Sequence, residues 1–216
     1  CPPQAAAYFY GQDGQPPAPI PVQQERFLLG NVEKTHVFIL DGQSLTLQST
    51  NYGHFEAFSA CFLEGLKIIN DAVKLAFTER VGLRYLDRVI PQADETIEKY
   101  LVDQVQGMNS RLGGRSLYAF TEAMNEIGSI KLLSRVAIQE GPLAFPPDIQ
   151  PGNMRISERF TTHIGNSAIL DNDGFVEARA VFSTNAVAEH LDAIHKVIGA
   201  AFRATATPHA FNTWDK

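Results

Sequence analysis

Three arginines, Arg80, Arg84 and Arg88, recur every four residues in the stretch TERVGLRYLDRVIP, Thr78 to Pro91. Its β-branched and aromatic content predicts a strand, and Pro91, which has no amide to donate to a ladder, ends it. In a strand the three guanidiniums point to one face, successive ones about 13 Å apart, while Val81, Leu83, Tyr85 and Val89 point to the other. A planar guanidinium grips carboxylate or phosphate oxygens through a two-pronged fork, so the arginine face is the candidate ligand-binding surface, for a small anion or a partner protein. The competing expectation is that Glu122, Glu126, Glu140 or Glu177 on neighbouring strands neutralises these cations as cross-strand pairs.

Other groups offer less. Asp171, Asp173 and Glu177 could hold a divalent ion for phosphoester hydrolysis beside the arginines, which defines an alternative, enzymatic reading. Asp171-Asn172-Asp173-Gly174 is not a calcium loop, because the sixth and twelfth positions are Val176 and Phe182 where glycine and glutamate are needed. His190 and His195 are five apart, on opposite edges of a helical stripe, and are expected to pack rather than to share a metal. Cys61, among Phe58, Phe62 and Leu66, is expected to be a buried apolar thiol without the electropositive setting of a nucleophile. Gly107 to Ser116 lacks the lysine of a phosphate-cradling loop, there is no G-x-S-x-G elbow, and no cofactor is expected.

The elements that must position these groups follow from periodicity. HVFILDGQSLTLQ, His36 to Gln48, predicts a hairpin through Asp41-Gly42 that pairs Leu40 with Gln43 and Phe38 with Leu45, collecting Phe38, Leu40, Leu45 and Leu47 on one face. Phe55, Phe58, Phe62, Leu66, Ile69, Val73 and Phe77 step by three or four as an amphipathic helix that covers the hairpin. A helix over 95–106 capped by Asp94, strands over Tyr118 to Glu126 and Ile130 to Glu140, and another over Arg155 to Ile164 are expected. Ser167 to Phe182 predicts a second hairpin turning at Asp171 to Gly174, and Val187, Leu191, Ile194, Ile198 and Phe202 a second long helix capped by Thr184 or Asn185. Thr207-Pro208 starts a last short helix. The fold class is therefore α+β: a mixed, largely antiparallel sheet with two long amphipathic helices on one face, and a ββα unit that looks duplicated. An extended proline-rich arm over 1–24, a first half over 25–140, a proline-rich connector over 141–153 and a second half over 154–216 make up one domain.

Val81 to Pro91 and LDAIHKVIGAAFRATATPHAFNTW, Leu191 to Trp214, resemble segments of a sporadically distributed bacterial family that has no assigned activity. In that family a Gly-Leu-Arg-Tyr strand ends the first half, and a helix with a Leu-x-x-hydrophobic-His step followed by Phe, Thr and Trp closes the chain. The resemblance runs from about Gln24 to Trp214 and implies a cytoplasmic α+β protein. Members often carry Asn where this chain has Asp87, and usually a strand and helix ahead of its first residue.

Composition narrows the classes that remain. The 216 residues carry 18 Lys and Arg against 24 Asp and Glu, a net charge of −6, which opposes general nucleic-acid binding. No stretch approaches the roughly 18 apolar residues of a spanning helix, so no membrane is expected. Two cysteines cannot build a disulfide framework, which fits a reducing cytoplasm. The expected function is a non-catalytic binding or regulatory module that engages a partner protein or anionic ligand through Arg80, Arg84 and Arg88, with the hydrolase and a self-associating homo-oligomeric subunit as alternatives.

Overall fold

The computed structural model describes residues 25–112, 117–143, 145–149 and 151–214. The arm expected over 1–24 lies outside them. Strands β1 (Phe27–Gly30), β2 (His36–Leu40) and β3 (Leu45–Ser49) form a three-stranded sheet in that order. Strands β4 (Phe77–Val89), β5 (Tyr118–Ile127), β6 (Ile130–Gly141) and β7 (Gly165–Val181) form a second sheet in the order β4-β7-β6-β5. Every strand pair is antiparallel, and with the helices the fold class is α+β.

Apolar periodicity accounts for the two long helices. Helix α1 (Phe55–Val73) packs its stripe over the small sheet, so closely that a Cβ on Gly65 would stand 2.6 Å from the Phe38 ring. Phe77 does not extend it. Lys74 adopts the left-handed conformation and its amide closes on the Asn70 carbonyl, so the chain turns and Phe77 opens β4. Cys61 is exposed, on the outer side of α1, instead of buried. The hairpin slips by two residues from the expected register: Leu40 faces Leu45 and Phe38 faces Leu47. Asp41 Oδ1 accepts the amides of Gln43 and Ser44, which builds a four-residue loop, and a slip of two leaves each side chain on its expected face.

The largest departure is β7. Asp171 to Gly174, expected to be a hairpin turn, is the middle of one 17-residue strand that pairs with β4 on one side and β6 on the other. The turn-forming side chains bond across the sheet rather than to their own backbone: Asp171 receives Arg84, and Asn172 receives the Ser134 hydroxyl. Gly174 serves a helix rather than a turn. A Cβ there would lie 2.6 Å from Ile194 and 3.2 Å from Ile198 of α4 (Thr184–Thr205). The apparent ββα duplication therefore dissolves, and β7, from the stretch after the connector, sits between two strands from before it.

Helix α4 lies on this sheet with Ile194 wholly buried, and α1 packs beside α4 and against β3. Its N-cap is Ser183, whose hydroxyl accepts the Ala186 amide, one residue ahead of the expected cap. Helix α5 (Pro208–Trp214) starts as expected, with Thr207 Oγ1 accepting the Ala210 amide. The helix expected over 95–106 is replaced by two 3₁₀ turns, Ile97–Lys99 and Asp103–Val105, and Asp94 takes φ 66° rather than a capping conformation. The end of α4 draws this segment out, because the Val102 amide bonds to Thr205 and the Thr207 amide to Tyr100. Short helices α2 (Asn109–Leu112) and α3 (Glu158–Thr161) complete the fold, the second in place of the strand expected over Arg155 to Ile164.

Gly174→Ala is expected to cost about 1–3 kcal/mol in chemical denaturation, because the added methyl meets packed isoleucines. Gly42→Ala, whose Cβ would meet nothing within 4 Å, is expected to stay within about 0.5 kcal/mol of the parent.

Candidate functional site

The alternation of β4 separates its side chains as the sequence implies. Val81, Leu83 and Val89 are buried under α4 and the 3₁₀ turns, and the arginines stand on the other face. Each arginine meets different partners. Arg84, 18% exposed, donates Nε and one terminal nitrogen to the two oxygens of Asp171 at 2.6 and 2.7 Å. Its other edge forks onto Asp148 at 2.6 and 3.3 Å. Asp171 also accepts Arg135 of β6 at 3.3 Å, and Arg135 in turn donates to Glu122 of β5 at 2.7 Å. The sequence Asp148, Arg84, Asp171, Arg135, Glu122 is a ladder of alternating charge across all four strands.

Arg80, half exposed, lies 3.7 Å from Asp173 and 4.0 Å from Glu177, over the Phe175 ring. Arg88 reaches Ser167 Oγ and the carbonyls of Phe160, His163 and Gly141, so it staples the segment before β7 to the sheet. Of the four expected glutamate partners, Glu177 pairs with Arg80 and Lys131, and Glu122 with Arg135. The two aspartates on Arg84 are additional to these expectations, because Asp171 has turn chemistry in the sequence and Asp148 lies in the proline-rich connector. Asp171, Asp173 and Glu177 share a face of β7 but turn to separate cations. Among the described residues no group of three or more His, Cys, Asp or Glu gathers as a metal site.

The electrostatics follow the contacts. Burial disfavours the Arg84 cation, but the hydrogen bonds of Asp171 and Asp148 outweigh it and hold the guanidinium above its ordinary pKa. Arg84 holds the Asp148 carboxyl below its ordinary value. Burial lowers Arg88, which leans on carbonyls, and raises Asp173.

A second polar cluster lies on the helix-covered face. Tyr85, Asn172 and Ser134 sit opposite one another across β4, β7 and β6, a polar row between two apolar clusters centred on Leu170 and Ile194. The Tyr85 hydroxyl bonds to the Tyr52 hydroxyl at 2.6 Å and to His195 Nδ1 at 3.1 Å, and the His195 ring stacks on Phe55 at 4.0 Å. This clasp ties the β3–α1 loop, β4 and α4 together, and His195 packs as expected. Burial raises both tyrosines and pushes Asp87, on the same face of β4 as Tyr85, up to about 6. The one sequence signal for Asp87 is its parity with Tyr85, which puts a carboxylate among apolar residues.

Asp171→Asn leaves two guanidiniums short of charge in a buried place and is expected to cost about 3–5 kcal/mol in urea denaturation. Asp148→Asn, at an exposed end of the ladder, is expected to cost under about 1 kcal/mol. Asp87 predicts a pH dependence of opposite sign to the usual carboxylate. Its folded pKa stands above the ordinary aspartate value of 3.8, so the folded state binds more protons and stability falls as pH rises from about 4 through about 6. Asp87→Asn is expected to flatten that fall and to be more stable than the parent at pH 8 by about 1–3 kcal/mol.

Comparison with family models, curated proteins and solved structures finds no match.

Proposed function

We propose that the protein is a non-catalytic binding module that takes an acidic group, from a partner protein or a small anion, on the arginine-bearing face of its four-stranded sheet. The observation that supports this is the asymmetry of Arg84. Its inner edge is clasped by Asp171, 3% exposed, while its outer edge is occupied by Asp148, 59% exposed. Asp148 follows Pro146 and Pro147, outside any strand or helix of the structure. Its carboxylate takes the fork that a ligand carboxylate or phosphate would take, with Arg135 close enough to lower its pKa as well. An incoming acid exchanges one exposed ion pair for another, at a cost of about 1 kcal/mol or less, and leaves the buried Asp171 clasp intact. Arg80, half exposed on the same face, offers a second contact.

Asp148→Asn removes the internal competitor. Calorimetric titration with inorganic phosphate, and separately with a glutamate-rich peptide, is expected to show binding that the Asp148→Asn variant tightens up to about fivefold and 0.5 M salt weakens. Arg80→Ala, which spares the ladder, is expected to weaken it. Binding that ignores both substitutions, or no binding to parent or variant, rejects the reading.

A further inference from the structure

The two outer strands of the large sheet are built differently. β4 carries three arginines and a register shift between Thr78 and Arg80, and charges and irregularities of this kind keep an edge from recruiting another strand. β5 has no irregularity, and its only charges are the carboxylates of Glu122 and Glu126. It pairs with β6 over ten residues without a shift, from Tyr118 opposite Gln139 to Ile127 opposite Ile130, and contains no Lys, Arg or Pro. Among the described residues no strand pairs with its other side.

The side chains along this edge are apolar and acidic by turns. Phe120 and Met124, 49% and 57% exposed, alternate on one face with Glu122 and Glu126, both exposed. Glu122 is held from the β6 side by Arg135, which leaves its outer side to a newcomer. The register that would best match the apolar groups of a second copy is disfavoured. Two-fold antiparallel pairing that sets Phe120 opposite Met124 also sets Glu122 opposite Glu122, and like charges directly opposed repel.

We propose that β5 adds an extended segment of a partner protein as a fifth strand, and that the segment alternates apolar and basic side chains at every second residue. Main-chain bonds to the open ladder supply affinity, apolar groups lie beside Phe120 and Met124, and Lys or Arg lies beside Glu122 and Glu126. This does not rest on the acid-binding reading of Arg84, because the side chains differ and the required charge is opposite.

The test uses a nine-residue peptide with valine and lysine alternating at every second position, and a twin with glutamate for lysine. Fluorescence anisotropy with the full chain is expected to show the lysine peptide binding at least about tenfold tighter than its twin. Hydrogen exchange is expected to slow at the β5 amides that do not face β6. Phe120→Lys with Met124→Lys is expected to lose at least about tenfold in affinity, and Leu28→Lys on exposed β1 to lose none. Equal binding of the two peptides overturns the proposal without recourse to any variant. So does protection on β1 instead of β5, or a dimer of the peptide-free protein that Phe120→Lys dissolves.

Discussion

The carboxylate of Asp171, buried in the central strand of the larger sheet, can stay there only because two guanidiniums from opposite neighbours reach it. Arg84 comes from β4 and Arg135 from β6, so one side chain couples three strands, and Glu122 carries the coupling to the fourth. Without both guanidiniums the Asp171 carboxylate, 3% exposed, would be a stranded charge beneath the surface. The arrangement specifies which strands are neighbours, because no other order brings both cations to the same acid. It also fixes β7 as extended through residues that would otherwise turn.

The two faces of this sheet divide the work. On the covered face Tyr85, Asn172 and Ser134 form a polar row that separates an apolar cluster around Leu170 from one around Ile194, and the Tyr85 hydroxyl is hydrogen-bonded to Tyr52 and His195. That clasp holds the small sheet and α1 in place. On the other face the charges are largely spent on one another. What remains available is at the margins: the outer fork of Arg84, shared with an exposed aspartate, and the apolar, acidic edge of β5. Both proposed binding surfaces therefore lie at the periphery of a sheet whose charges are otherwise mostly paired.

Much of the framework was legible in the residues. The stripes of α1 and α4, the strands β5 and β6, the separation of arginines from Val81, Leu83 and Val89, and the Thr207-Pro208 start all follow from local periodicity and capping. The two largest departures share one cause, a local preference overruled by a distant partner, whereas the hairpin slip is local, set by the Asp41 side chain. Asp171 to Gly174 has turn chemistry, but arginines far away in sequence take Asp171, and the isoleucines of α4 occupy the space that Gly174 leaves open. Ile97 to Val105 has helical spacing, but the end of α4 claims its backbone. Asp148 carried no signal at all, since a lone acid among prolines shows its role only when the chain returns to Arg84.

Amide hydrogen exchange at Asn172, Asp173 and Gly174 addresses the central claim most directly. A continuous, doubly paired strand held by the Arg84 and Arg135 clasp predicts that these amides are among the slowest in the protein and open only with global unfolding. Exchange there as fast as in an exposed hairpin turn, while the flanking residues stay protected, would contradict it.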